Sequence, residues 1–335
     1  MKDINSEDAF KNLNTLGYLD IPIPSGLNIV DSIKKLKEEK KAIILAHYYQ
    51  SNEIQDIADY IGDSLGLAQE AEKTTAEIIL FAGVHFMAET AKILNPTKKV
   101  LIPDLHAGCS LSDSCPADVF KLFKEAHPDH KVISYINCSS EIKALSDVIC
   151  TSSNARAIVE SFPKEQALIF APDKNLGGYI NKITGRKMLL WNGACMVHEI
   201  FSYEKLVNLK KENPNAKVIG HPECEEQILS LVDFIGSTTQ LLNYTIKDSS
   251  TEFIVVTESG ILHQMILSSP QKKFIPAPPN NTCACNDCPH MKRNTLEKIY
   301  NALTYEQPEI IMSSEMIQKA YLPIRRMLDI SAKMK

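Results

Sequence analysis

Hydrophobic positions fall into short unbroken runs, separated by amphipathic stretches and by turns rich in Gly, Ser, Asp and Pro. Runs such as Ala42-Ile43-Ile44-Leu45-Ala46 and Ile78-Ile79-Leu80-Phe81-Ala82 have no polar alternation. They predict parallel strands buried on both faces. Residues 1–40 predict a helical lead-in, and its amphipathic run 29–40 ends in a basic cluster that reads as a solvated helix face. From Ala42 onward the pattern is strand, helix, short strand, helix, strand, helix, strand. The fourth strand opens into a loop carrying Ala107-Gly108-Cys109-Ser110.

The same order then recurs twice. Lys131-Val132-Ile133-Ser134 begins a second unit that ends at Gly193-Ala194-Cys195. Lys217-Val218-Ile219-Gly220 begins a third, which ends in Cys283-Ala284-Cys285-Asn286-Asp287-Cys288-Pro289. His47 and Tyr135 lie 88 residues apart, and Tyr135 and His221 lie 86 apart. Ser64, Ser152 and Thr238 keep the same two intervals. A period near 87 with four strands per unit is too long for a solenoid. It predicts an α/β protein of three similar three-layer αβα domains with parallel sheets, related by a pseudo-threefold axis. The boundaries read as 1–107, 108–194 and 195–288, with 289–335 forming C-terminal helices that pack back on the first domain.

Composition narrows the class. Hydrophobic residues make up 44% and charged residues 23%, and the formal net charge is −5. That is a globular balance, and with no basic block nucleic acid is not an expected partner. No apolar run reaches the length of a membrane helix. The start Met1-Lys2-Asp3-Ile4-Asn5 lacks the pattern of a signal peptide, so a cytoplasmic setting is expected. Nine cysteines without an export signal point to metal or catalysis rather than disulfides. Cys138 and Cys150, beside apolar runs, and Cys115 read as buried thiols.

The repeat also organises the chemistry. In open α/β sheets ligands bind beyond the carboxyl ends of the strands. His47 and Tyr49, Tyr135 and Asn137, and His221 and Glu223 all follow a first strand. Ser64, Ser152 and Thr238 begin helices after a second strand, where hydroxyls and backbone N–H groups suit carboxylate or phosphate oxygens. Cys109, Cys195 and one cysteine of the last loop follow a fourth strand, and spacing alone does not choose among Cys283, Cys285 and Cys288. Three thiolates without a fourth suggest a [4Fe–4S] cluster with one open iron, a Lewis acid suited to dehydration. Taken singly these residues have plainer readings: a Ser at a helix start as a cap, a lone His or Tyr as core. Recurrence at equivalent places favours function. Competing readings are another [4Fe–4S] hydro-lyase acting on a small dicarboxylate, and a non-catalytic metal or redox sensor.

Nine collinear motifs carry a resemblance. They are His47-Tyr48-Tyr49-Gln50, Asp56-Ile57-Ala58-Asp59, Gly62-Asp63-Ser64, Ala107-Gly108-Cys109-Ser110, Tyr135-Ile136-Asn137, Thr151-Ser152-Ser153-Asn154-Ala155, His221-Pro222-Glu223-Cys224, Gly236-Ser237-Thr238 and Cys288-Pro289-His290-Met291. Over residues 20–330 the chain resembles the quinolinate synthase family of NAD biosynthesis. The resemblance implies condensation of iminosuccinate with dihydroxyacetone phosphate to quinolinate, phosphate and two waters, with a possible functional link to L-aspartate oxidase. It implies a [4Fe–4S] cluster, one per chain, on Cys109, Cys195 and Cys288. It also implies substrate binding by His47, Ser64, Tyr135, Asn137, Ser152, His198, His221, Glu223 and Thr238, and a catalytic part for Tyr49. Glu223 and His221, a carboxylate beside a histidine, are the first candidates for proton transfer, with Tyr49 and His47 next. One departure stands out: the last loop reads C-x-C-x2-C, where several relatives have C-x2-C-x2-C.

Overall fold

The structure, a computed structural model, describes residues 6–280 and 286–334. Cys283 and Cys285 therefore lie outside the described residues. Three four-stranded sheets form among those described, and every pairing in them is parallel. All three have the strand order second, first, third, fourth. Parallel neighbours require crossover connections, and helices supply them. The chain is thus a threefold-repeated αβα protein, as its periodicity predicts.

One compact unit holds the chain up to Cys109 together with Pro289–Gln318. In its sheet β1 (Ala42–His47) lies between β2 (Tyr60–Gly62) and β3 (Ile78–Ala82), and β4 (Lys99–Leu101) lies outside β3. Ile44, Ala46, Leu80 and Ala82 are wholly buried and share a core with Ile33 of helix Ile29–Glu39. Leu296, Ile299, Ala302 and Leu303 of helix Leu296–Tyr305 complete that core. Burying an Ile or Leu side chain contributes roughly 1.5–3 kcal/mol, so the late helix is integral to the first sheet.

The second unit holds Ser110–Cys288 and the chain from Lys319 on. It contains two sheets. The first comprises β5 (Lys131–Tyr135), β6 (Val148–Cys150), β7 (Leu168–Ala171) and β8 (Leu189–Leu190). The other comprises β9 (Lys217–Gly220), β10 (Phe234–Ile235), β11 (Glu252–Val256) and β12 (Lys273–Pro276). Phe120, Val132, Ile142 and Ile169 anchor one core, and Leu206, Val218, Ile254 and Val256 the other. Residues 319–334 group with this unit, whereas the sequence pattern packs all of 289–335 on the first domain. Asn154 Nδ2 donates to Ser331 Oγ at 2.9 Å, and the Arg326 guanidinium lies 4.8 Å over the Phe162 ring.

Each sheet repeats one polar device. The carboxylates of Asp59, Asp147 and Asp233 accept the backbone N–H of Ile44, Val132 and Val218 at 2.7, 2.8 and 2.8 Å. The backbone N–H of each aspartate returns a bond to the carbonyl of the same partner, at 2.9, 2.9 and 2.7 Å. The double link ties the entrance of each second strand to the first.

Candidate active site

The carboxyl ends of the first strands carry the chemistry. His221 and Glu223 follow β9, and both are buried. Glu223 Oε1 accepts the Tyr135 hydroxyl at 2.5 Å, which joins the ends of β9 and β5. His198 Nδ1 lies 3.2 Å from Glu223 Oε2, and His221 Nδ1 lies 3.6 Å from Oε1. The two imidazoles stack at 4.8 Å. His221 Nε2 lies 3.2 Å from Ser152 Oγ, while His198 Nε2 lies 3.0 Å from Thr257 Oγ1. His198 Nδ1 also sits 3.3 Å from Cys195 Sγ. A continuous polar chain therefore runs Ser152–His221–Glu223–His198–Cys195, with Tyr135 and Thr257 attached. The donor atoms of Cys195, His198 and Glu223 all lie within 4.8 Å of one another, close enough to share a metal ion.

Electrostatics separates two acids here. Burial alone would raise the Glu223 carboxyl. The imidazoles of His198 and His221, with hydrogen bonds from His198 and Tyr135, outweigh it and hold the group down at about 2. Asp173, two residues beyond β7, is pushed well above the usual carboxylate range by burial and by the charge of Glu223. Burial and neighbouring charge thus push the two carboxyls in opposite directions. Asp173 Oδ1 caps helix Lys174–Thr184 by accepting the Leu176 N–H at 2.7 Å. Among the described residues its Oδ2 is buried with no hydrogen-bond partner, as is Asn137 Oδ1.

Thr238 is buried at the first position of helix Thr238–Lys247, behind the capping box of Ser237 and Gln240. Its neighbour Ser237 Oγ accepts a hydrogen bond from Ser153 Oγ at 2.8 Å, beside Ser152. Cys288 is held through its backbone, whose N–H donates to Glu258 Oε1 at 3.0 Å.

The first unit presents the matching set on its own sheet. His47 ends β1 and pairs in register with Gly62, two residues before Ser64. Asp63, not Ser64, caps helix Ser64–Lys73, which leaves Ser64 as its first residue. His47 Nδ1 accepts the Tyr49 N–H at 3.2 Å, and His221 Nδ1 faces the Glu223 N–H in the same way at 3.4 Å. The two histidines thus occupy equivalent conformations at equivalent strand ends. The His47 and Tyr49 rings meet edge to face at 4.5 Å. Lys292 Nζ donates to the Tyr49 carbonyl at 2.8 Å, and buried Gln55 donates to the carbonyls of Tyr48 and Gln50 at 2.9 and 3.0 Å.

The cysteines divide by environment. Cys115, Cys138, Cys150 and Cys224 are buried. Burial pushes the Cys115 thiol up to about 12 and those of Cys150 and Cys224 well above the usual range. Cys109, Cys195 and Cys288 are half-exposed. Thiolate is the metal-binding form. Among the described residues, the three thiols expected to bind metal are thus the three that desolvation leaves accessible, so the donor set fits a thiolate-held metal group. Thr257, Glu258 and Asp173 escaped the sequence reading, since no residue type recurs at these third-strand ends.

A repeated αβα fold with a buried carboxylate–imidazole chain ending on a half-buried thiol defines an enzyme-like α/β protein with a candidate metal site. Its family follows from sequence comparison. The profile of the family described as "Quinolinate synthetase A protein" matches residues 31–329. A quinolinate synthase from Chloroherpeton thalassium is 61% identical over 308 residues, spanning 92% of this chain and 96% of the relative. The quinolinate synthases of Microcystis aeruginosa and Thermosynechococcus vestitus are each 60% identical, spanning 91% and 95% of this chain and 95% and 99% of theirs. The chain belongs to the quinolinate synthetase A family. Among the described residues no helix is long and apolar enough to cross a membrane.

Proposed function

We propose that the chain is a quinolinate synthase of NAD biosynthesis, condensing iminosuccinate with dihydroxyacetone phosphate to give quinolinate, phosphate and two waters. What carries the reading is the polar chain from Ser152 through Glu223 to Cys195, in a protein 61% identical over 308 residues to a quinolinate synthase. The proposed setting is cytoplasmic, with L-aspartate oxidase as a functional source of iminosuccinate.

In this reading Cys109, Cys195 and Cys288 hold a [4Fe–4S] cluster, which when bound supplies an open iron acting as a Lewis acid on a substrate carboxylate or hydroxyl. Glu223 and His221 form the first acid–base pair for the carbon acid that condenses. His221 passes the proton toward the Ser152 hydroxyl, and the Tyr135 hydroxyl steadies the carboxylate between transfers. Ser64, Ser152 and Thr238 bind carboxylate and phosphate oxygens, helped by backbone N–H groups at helix starts. Asn137 adds an amide whose carbonyl is otherwise unpartnered. His47 and Tyr49 form a second acid–base pair. Burial of His198, His221 and Glu223 keeps bulk water from competing for these protons.

Anaerobic reconstitution with iron and sulfide, followed by addition of both substrates, tests the proposal. Quinolinate formed only by chains carrying about four irons is the expected result. A cluster-loaded chain that makes no quinolinate would sink the substrate assignment. A chain that takes one zinc and no iron would sink the cofactor.

A further inference from the structure

The last loop offers three cysteines, and the structure shows how one of them is set in place. Asn286, Asp287 and Cys288 are each pinned separately. Buried Asn286 donates its amide to the Ala277 carbonyl, directly after β12. Ser259 donates to the carboxylate of Asp287. Glu258, wholly buried two residues beyond β11, accepts the Cys288 N–H at 3.0 Å on one oxygen and the Gly260 N–H at 2.7 Å on the other. Its neighbour Thr257 meets His198 Nε2 at 3.0 Å, and the far side of that ring meets Cys195 Sγ at 3.3 Å. The end of β11 therefore braces two thiol-bearing segments through consecutive side chains.

We propose that Glu258 is a positioning residue for the metal group. Its carboxylate fixes the backbone at Cys288, so that this thiol, rather than Cys283 or Cys285, is presented as the ligand. The inference rests on the cluster reading above and adds a residue to it. A carboxylate accepting two backbone N–H groups inside the protein makes bonds about twice as strong as neutral ones. An amide at this place keeps the shape but offers one acceptor and turns an N–H₂ toward a second N–H. Groups that orient a metal ligand typically cost 10–100-fold in metal affinity when removed.

The test uses full-length chain and two variants. Glu258→Gln removes the double acceptor without changing size. Asp233→Ala is the control, since it deletes a carboxylate-to-backbone bond of the same kind in the same sheet. After reconstitution, iron loss to a chelator is followed by the visible absorbance of the cluster. Glu258→Gln is expected to lose iron about tenfold faster than the unsubstituted chain, and Asp233→Ala at the unsubstituted rate. In a second arm the metal-free proteins are treated with iodoacetamide and each cysteine is read by peptide mass spectrometry. Glu258→Gln should speed alkylation at Cys288 and leave Cys195 unchanged. An unsubstituted chain that binds no iron would defeat the cluster reading, while the alkylation arm still decides the clamp. Unchanged iron loss with unchanged Cys288 alkylation in Glu258→Gln would overturn the proposal. Equal iron loss in Asp233→Ala would also overturn it, by reducing Glu258 to general stability.

Discussion

Glu223 makes a direct statement about pH. Its folded-state value is depressed from 4.5 to about 2. Its contribution to stability is therefore complete above about 4.5, and is lost as the pH falls toward about 2. Glu223→Gln should flatten the acid limb of the stability profile in that window, as read by urea denaturation at stepped pH. In the loaded enzyme the same substitution should lower kcat by about 10²–10⁴. Gly193 is a second residue with a defined role. A Cβ there would lie 2.6 Å from the Pro172 carbonyl and 2.3 Å from Ser114 Oγ. The strand link between Asp173 and Gly193 that leads to Cys195 needs that close approach. Gly193→Ala should cost about 1–3 kcal/mol and reduce iron per chain, which calorimetry and metal analysis would show together. The thiols give a third test. In the metal-free chain iodoacetamide at pH 8 should label Cys109, Cys195 and Cys288 well before Cys115, whose thiol is held up to about 12. Fast labelling of Cys115 would contradict the division of cysteines by burial.

At the scale of elements, the aspartates at the second-strand entrances invite a parallel experiment. Asp59→Ala, Asp147→Ala and Asp233→Ala each remove one charge-assisted bond to a first strand. Each should cost roughly 1.5–3 kcal/mol in denaturant titration. Like losses at all three sites would show that the repeats are equivalent in energy as well as in topology. This device went unmarked in the sequence, although its three aspartates keep the same 88- and 86-residue intervals as Ser64, Ser152 and Thr238. The strand runs were legible, since strands buried on both faces leave continuous apolar runs. The short helices Ser110–Asp113 and Met196–Glu199 were not, because four residues carry no periodicity. Nor was the meeting of Cys195, His198 and Glu223. Their spacing of three and then twenty-five residues encodes no contact, and only the parallel sheets turn strand ends into neighbours. His198 was marked by family resemblance alone. Glu258 had no mark, since Val84, Asp173 and Glu258 fill equivalent places two residues beyond the third strands with different chemistry.

For the molecule as a whole, the decisive feature is that the first unit is discontinuous in sequence. Helix Leu296–Tyr305 fills the core under β1 and β3, and Ile299 and Leu303 are wholly buried there. A chain ended after Cys288 would leave Ile33, Ile44 and Leu80 facing solvent. Such a truncation should lose cooperative unfolding of the first sheet, seen as loss of slow amide exchange in β1 and β3. The same arrangement orders events during synthesis. A ribosome releases the chain from its N-terminus, so the first sheet to emerge waits for a helix nearly 200 residues downstream. Folding of the oldest segment is thus one of the last steps, and the strand ends that carry His47 and Tyr49 take their final form in the finished chain rather than in the nascent one.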